Sequence, residues 1–192
     1  MVSITGSAQI PTWEWSHGWT TNAAELFRAV AVDNADGSVY VVGDAENSGN
    51  TLDAFSMYAQ DQGVLMKFSR QGSLLWYVPI GGAEIETATT VALAPDGTAY
   101  VAGLFSGTSS FYHAGAPAPG ASLTATGGSK DAYLAAYSPD GQLLFVRQFG
   151  NNSDEGTPVI AADDDGITMA FTYTGTIGTA NGQSSAGTLN GS

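Results

Sequence analysis

The chain has 192 residues, of which 43% are hydrophobic and 12% are charged, a composition too apolar for a disordered segment and long enough for one sizeable core. Five basic residues against eighteen acidic ones give a formal net charge of −13, which disfavours binding to nucleic acid or anionic lipid. The absence of cysteine excludes disulfides, thiolate metal sites and cysteine nucleophiles.

Residues 1–20 are predicted to form a short, degenerate hairpin, with MVSIT and IPTWEWSHGW on either side of GSAQ. Trp15 lies 22 residues before Gly37, close to the 21 residues between Trp76 and Gly97, so this segment repeats the position of a later hairpin. No basic start followed by an apolar run marks a signal peptide, and no apolar stretch approaches the roughly 18 residues of a membrane span.

The next segments contain two kinds of hairpin, each with a glycine turn between two apolar runs. The first kind occurs in AVAVDNADGSVYVVG, VALAPDGTAYVAG and VIAADDDGITMAF, at residues 29–43, 91–103 and 159–171. The second kind occurs in GVLMKFSRQGSLLWYVPIGG and DAYLAAYSPDGQLLFVRQFGN, at residues 63–82 and 131–151. The segment NAAELFRAVAV from Asn22 is the one candidate helix, but it aligns with the starts of the other hairpins and is therefore interpreted as the approach to a strand.

Turn spacing combines the two hairpins into one repeating unit of four strands, A to D. Gly72 to Gly97 and Gly141 to Gly166 are both 25 residues apart. The spacing from the glycine of an A–B turn to the glycine of the next C–D turn differs by nine residues between the two units, which places the insertion in the loop between Gly103 and Asp131.

Strands A to C are apolar on both faces, whereas strand D carries polar members. Burial on both faces of antiparallel strands favours an all-β fold, a β-propeller of four-stranded antiparallel blades stacked around an axis, rather than a simple sandwich. The chain would hold about three blades, one of them split between the termini. The predicted parts are strands C and D at 1–20, one blade at 25–82, a second at 84–150, and strands A and B at 156–180.

A typical closed propeller has four to eight blades, so three are too few for one ring. Two alternatives follow. Two chains assemble a six-bladed ring as a homodimer that joins the ends of different copies, or the chain is a segment of a longer propeller.

The motifs VALAPDGTAYVAGLFSGT, GGSKDAYLAAYSPDGQLLFVRQFG and RQGSLLWYVPIGG resemble the bacterial β-propeller repeats called SBBP repeats. The resemblance covers most of residues 25–178 and implies a propeller fold in a secreted or cell-envelope protein. It implies no common activity and no catalytic residues. Two departures are GVLMKF, where Asp-Ala-aromatic is expected, and ITMAFTYTG in place of Tyr-Val-Ala-Gly.

The longer loops, B to C and D to A, are predicted to share one face of the propeller and to carry any contact with a protein partner. The loop 108–128 adds an aromatic cluster beside Pro117 and Pro119, with the alternative that it folds over its own blade. The predicted contact residues are Phe111, Tyr112, His113, Glu84, Glu86, Asp154 and Glu155.

The sequence gives weaker support for calcium binding, acid/base catalysis and sugar binding. Aspartates at the A–B turns could hold calcium, but they lack the EF-hand spacing, and Asp before Gly also suits a tight turn. These candidates are Asp33, Asp36, Asp163 and Asp165. An acid/base pair at Glu84 and Glu86 or at Asp154 and Glu155, and sugar stacking on Trp19, remain alternatives. No nucleophile motif, histidine pair or phosphate loop occurs, so no cofactor other than calcium is expected.

The sequence therefore predicts a non-enzymatic scaffold or protein-interaction module, a subunit of a larger assembly or a surface protein. A carbohydrate- or calcium-binding module is the alternative, and a propeller hydrolase or lyase comes third.

Overall fold

In a computed structural model of the chain, residues 14–16, 25–45, 51–52, 55–56 and 62–180 are described. They form antiparallel β-sheets joined by turns, with one 3₁₀ turn at Thr126–Gly128 and no other helix among them. None of these residues belongs to a helix long and apolar enough to cross a bilayer. Most of the predicted hairpin at 1–20 lies outside the described residues.

The strands, in chain order, are β1 Glu25–Val32, β2 Val39–Ala45, β3 Thr51–Leu52, β4 Phe55–Ser56, β5 Gln62–Phe68, β6 Leu74–Gly82, β7 Glu86–Leu93, β8 Ala99–Phe105, β9 Thr108–Tyr112, β10 Pro119–Thr124, β11 Asp131–Tyr137, β12 Leu143–Gly150, β13 Val159–Ala162, β14 Ile167–Ala170 and β15 Gly178–Ala180. Sheet 1 has the strand order β1-β2-β5-β6-β9-β10, and sheet 2 has the order β15-β12-β11-β8-β7. The pairs β13-β14 and β3-β4 form separate two-stranded sheets.

The candidate helix from Asn22 is a strand within the described residues, as the alignment indicates. β1 begins at Glu25 and pairs with β2, with a bulge between Phe27 and Ala29. β7 repeats this bulge between Ala88 and Thr90 in its pairing with β8. The two strands therefore correspond residue by residue, with an offset of 61 in the numbering.

The A–B turns differ in length although their flanking strands correspond. Val32 pairs with Val39, Leu93 with Ala99, and Ala162 with Ile167, so the turn shortens from 33–38 to 94–98 to 163–166. Alignment on the turn glycines therefore places the β14 residues one position away from their true equivalents in β8.

The prediction of four-stranded blades is wrong in strand number. The loop expected to be exposed between Gly103 and Asp131 forms the hairpin β9-β10, which extends sheet 1 by pairing Ile80 of β6 with Phe111 of β9. β15 extends sheet 2 in the same way, with Phe149 of β12 opposite Thr179. The outer edge of a D strand has free N–H and C=O groups, and these extensions pair with the last three residues of each D strand.

The main core lies between the two sheets. β5 and β11 are buried along their whole length, as expected for strands apolar on both faces. The D strands, β6 and β12, are exposed near their first residues, where Leu75 and Leu144 are 49% and 55% exposed, whereas residues 77–81 of β6 are buried. β7 packs against β1, β2 and β5 on one side and against β13 on the other, so successive A strands are neighbours.

Candidate functional site

A glutamate lies seven residues before the last residue of each A strand, β1, β7 and β13. Glu25 opposes Ala45 across the β1-β2 pair, and Glu86 opposes Phe105 across β7-β8. Glu155 has the same spacing to Ala162 at the end of β13. The side chains of Glu86 and Glu155 are 1% and 4% exposed, although carboxylates are rarely buried without a specific reason.

Glu155 lies beside a second buried carboxyl group, that of Asp131. Asp131 is fully buried and accepts hydrogen bonds from the Thr126 backbone N–H at 2.9 Å and from Gln148 Nε2 at 2.5 Å. The Ser129 hydroxyl donates a longer bond of 3.4 Å to the same carboxylate. Asp131 thereby connects the end of the β9-β10 hairpin to sheet 2.

The Glu155 backbone N–H donates to the Lys130 carbonyl oxygen at 2.9 Å, which fixes the segment before β13 beside Asp131. Neither Glu155 carboxylate oxygen has a hydrogen-bond partner of ordinary geometry. Burial first, and then the charge of Asp131, raise the pKa of Glu155 to about 7. Chemically, the pair can hold one proton near neutral pH.

Sheet 1 has a different residue at the position of Asp131. Gln62 opposes Ala45 just as Asp131 opposes Phe105, and it is 2% exposed. Gly81 and Gly150 make room for these side chains, since a Cβ would lie 2.5 Å from Gln62 Cγ at Gly81 and 2.1 Å from Asp131 Cγ at Gly150. The amide of sheet 1 is therefore followed by one buried glutamate, Glu86 of β7, whereas the carboxyl group of Asp131 is followed by a second carboxyl group, that of Glu155.

A tryptophan fixes the junction between the two sheets. Trp76 of β6 donates from Nε1 to the Pro139 carbonyl oxygen at 3.0 Å, and its ring packs edge-on against Tyr40 with 5.8 Å between centroids. The Lys67 ammonium donates to the same carbonyl at 3.1 Å and lies over the Tyr40 ring. The C–D turn of sheet 2 is thus held by two donors from sheet 1.

Trp15 repeats this contact one unit earlier. Its Nε1 donates to the Arg70 carbonyl oxygen at 3.0 Å, and its ring lies 5.8 Å from that of Phe68. Both turns need a glycine, because a Cβ at Gly72 would lie 2.6 Å from the Trp15 ring and one at Gly141 would lie 3.0 Å from the Trp76 ring. The two glycines also have positive φ angles of 85° and 76°.

The ends of three A strands line one cavity of about 290 Å³. Val32, Leu93 and Ala162 are the last residues of β1, β7 and β13, and all three line it. The rest of the wall comes from the first two A–B turns, through Asp33, Asn34, Ala35, Ala94 and Pro95.

The predicted aromatic contact cluster needs correction. Phe111 is fully buried in the main core, 5.1 Å from the Tyr133 ring centroid, so it is not available to a partner. His113 Nδ1 accepts the Leu143 backbone N–H at 2.9 Å, and Tyr112 is half-buried. The segment folds over its own molecule because β9 completes the edge of β6.

The predicted acidic contact residues fall into two groups. Glu84 and Asp154 are exposed, and Asp154 Oδ1 accepts the Lys130 backbone N–H at 3.0 Å. Glu86 and Glu155 are buried, so their assignment to a partner-binding surface is wrong. The sequence signal that identifies these two is their constant distance from the ends of the A strands.

The candidate calcium ligands act as turn-forming side chains. Asp33 Oδ1 accepts the Ala35 N–H at 2.8 Å, and Asp163 Oδ1 accepts the N–H groups of Asp165 and Gly166 at 2.9 and 3.1 Å. The hydrogen bonds from Ser38 lower the pKa of Asp36. In the described part of the chain, no three His, Asp or Glu side chains converge as metal ligands would. Trp19 lies outside the described residues.

No family model matches the chain. The chain is 28% identical over 166 residues to the regulatory protein FlaEY of Caulobacter vibrioides, an alignment that covers 77% of this chain and 15% of that protein. The chain therefore spans about 15% of the length of this relative.

Proposed function

We propose that this chain is a run of β-propeller blades that serves as a non-enzymatic scaffold for protein partners. Sheet 1 and sheet 2 would be successive blades, and β13-β14 would begin the next. Membership of the SBBP repeats is part of the proposal and rests on the motifs quoted above.

The cavity at the ends of the A strands is the observation that best supports the proposal of a propeller. Equivalent residues of three successive units line one cavity, as expected when a rotation about a nearby axis relates the units. A solenoid that advances by translation would keep such residues apart in separate layers. Face-to-face sheets whose innermost strands meet at an axis are the arrangement of a propeller.

The proposal of a scaffold is supported by the hydrogen bonds of the polar side chains, which stabilise turns and join sheets. The aspartates of the turns accept backbone N–H groups, and the buried Asp131 joins a hairpin to its neighbouring sheet. Rigid repeats with exposed loops commonly act by binding other proteins. The relative is a regulatory protein by name, which is compatible with a module that acts through partners. A secreted or envelope location stays part of the proposal.

Crosslinking tests the shared axis directly, because the chain has no native cysteine. Two double variants carry cysteines at the axis, Val32→Cys with Leu93→Cys and Leu93→Cys with Ala162→Cys. A short bis-maleimide should link both pairs within one chain at similar rates, as measured by mass spectrometry of digested protein.

The matched control places cysteines at Leu75 and Leu144, which are equivalent residues on the outer D strands. This pair should crosslink at least tenfold more slowly. Equal rates for inner and outer pairs, or no link between positions 93 and 162, would overturn the propeller. A melting temperature that falls with chelator would favour the calcium-binding alternative over a plain scaffold.

A further inference from the structure

β1 exposes an apolar face although it is an inner strand. Val30 and Val32 are 63% and 54% exposed, and Phe27, which the register places on the same face, is 51% exposed. Large apolar side chains clustered on one strand are a common sign of an interaction surface.

The equivalent face of β7 is covered. Val91, which corresponds to Val30, is only 8% exposed, and Leu93, which corresponds to Val32, packs against the main core. The cover consists of sheet 1, whose Tyr40 and Val42 belong to the same core. We call the face of a sheet that points toward the next unit along the chain its forward face, and the opposite face its backward face. The chain itself thus shows what the exposed backward face of β1 binds, namely the forward face of another sheet of the same repeat.

The opposite end of the described structure offers such a forward face. Val159 and Ala161 of β13 correspond to Ala29 and Ala31 of β1, which pack forward against the core between the sheets. Here Val159 is 61% exposed, and Ala161, Thr168 and Ala170 are exposed beside it. One end therefore presents the backward half of a junction and the other end presents the forward half.

We propose that the β1 face binds the β13-β14 pair of a second copy of this chain, head to tail. The inference rests on the proposed propeller, since it continues the sheet 1 to sheet 2 junction across two molecules. Two copies that contribute about three blades each make a six-bladed ring, within the usual four to eight. The contact is made twice in the dimer, so the assembly closes instead of growing.

The negative charge of each copy opposes this association, and therefore predicts how the stability of the dimer depends on salt. Each copy has a net charge of −13, so the two copies repel one another at low ionic strength. At 0.1 M, salt largely screens the repulsion between charges that lie more than about 10 Å apart, and it strengthens apolar contacts. The dimer should therefore become more stable as salt increases.

The test is the mass of the full chain in solution, by light scattering and native mass spectrometry over a range of concentrations. The expected mass is twice 19.7 kDa, with a dissociation constant at least tenfold lower at high salt than at low salt. Val30→Glu should raise that constant at least tenfold. Leu75→Glu, at a side chain of similar exposure on the outer D strand, should leave it unchanged.

A chain that stays monomeric at every concentration and salt level would overturn the second-copy proposal. A dimer that is indifferent to Val30→Glu, or that Leu75→Glu weakens equally, would overturn the assignment to β1, and open-ended assemblies would overturn ring closure. Circular dichroism of both variants establishes that they fold. The crosslinks between positions 32, 93 and 162 lie within one chain, so they test the propeller independently of any dimer.

Discussion

Sheet 1 and sheet 2 share one backbone plan but differ in the buried polar residue that begins the C strand. Gln62 begins β5 of sheet 1, and the unit that follows contributes the buried Glu86; Asp131 begins β11 of sheet 2, and the unit that follows contributes the buried Glu155. The glycines that accommodate Gln62 and Asp131, Gly81 and Gly150, are the same in both. The comparison teaches that the backbone and the apolar packing define the repeat. The buried polar residues vary between units, and where both are carboxyl groups their protonation depends on pH near neutrality.

The junction aromatics provide a second difference. Trp76 of sheet 1 corresponds to Phe145 of sheet 2, since each opposes an equivalent residue of its C strand, Lys67 or Ala136. Trp76 binds a turn of the following sheet, whereas Phe145 contacts Tyr100 and Arg147 of its own sheet. The first aromatic fixes two units to each other, whereas the second packs within its own sheet.

The largest expected effect is that of Trp76→Ala. The change removes a hydrogen bond and the aromatic contact between sheets, and should lower the free energy of unfolding by about 3 kcal/mol. Phe145→Ala, its matched counterpart, should cost about 1 kcal/mol because it breaks no contact between sheets. Urea denaturation measures both, and equal losses would contradict the difference between the two junctions.

Glu155→Gln tests the buried carboxyl pair. Because the folded-state pKa of about 7 exceeds the usual 4.5, the folded chain binds a proton more tightly than the unfolded chain. This contribution to stability is complete below about pH 4.5 and is lost as the pH rises through 7. At pH 8 the glutamine variant should be more stable than the natural chain by at most about 3 kcal/mol, with little difference at pH 4.

Gln62→Glu makes the opposite change in sheet 1. It places a second carboxyl group at the position equivalent to Asp131, on β5, which packs against β7 where Glu86 lies. Denaturation at pH 8 should show a loss of about 1–2 kcal/mol that diminishes on acidification. If its cost is the same at pH 4 and pH 8, or if Glu155→Gln leaves the pH profile unchanged, then the carboxyl pair is not the proton-sensitive element.

The smallest expected difference compares two glycines with positive φ. Gly141→Ala brings a Cβ to 2.6 Å from the Ala114 Cβ and 3.0 Å from the Trp76 ring, and should cost about 2–3 kcal/mol. Gly115 has a φ of 70° with nothing within 4 Å of the added Cβ, so Gly115→Ala should cost only about 1 kcal/mol. Thermal melts compare the two, and a larger loss at Gly115 would remove steric contact with Trp76 as the cause.

The strands and hairpins could be predicted because apolar runs and Asp-Gly turns are local signals. The burial of β5 and β11 and the exposure of Leu75 and Leu144 follow directly from the residue patterns, whereas the burial of residues 77–81 of β6 does not. The resemblance between the unit starting at Glu25 and the unit starting at Glu86 is also visible in the sequence. Its exact register is not, because the A–B turns change length from unit to unit.

The addition of β9 to the edge of β6 could not be read from the sequence. The pairing of Ile80 with Phe111 joins distant segments, and the polar Thr108, Ser109 and Ser110 are typical of a loop. The burial of Glu86 and Glu155 was missed for a similar reason, since a carboxylate next to a loop is usually solvated. Only the packing of one unit on the next shows where these side chains lie.

A crystal structure of the chain gives the most direct test of the propeller. The rotation that superposes β1, β2, β5 and β6 on β7, β8, β11 and β12 should be repeated when β7-β8 is superposed on β13-β14. Both rotations should share an axis beside Val32, Leu93 and Ala162, with an angle of about 45–90° as in rings of four to eight blades. Two axes that diverge, or a superposition dominated by translation, would contradict the propeller.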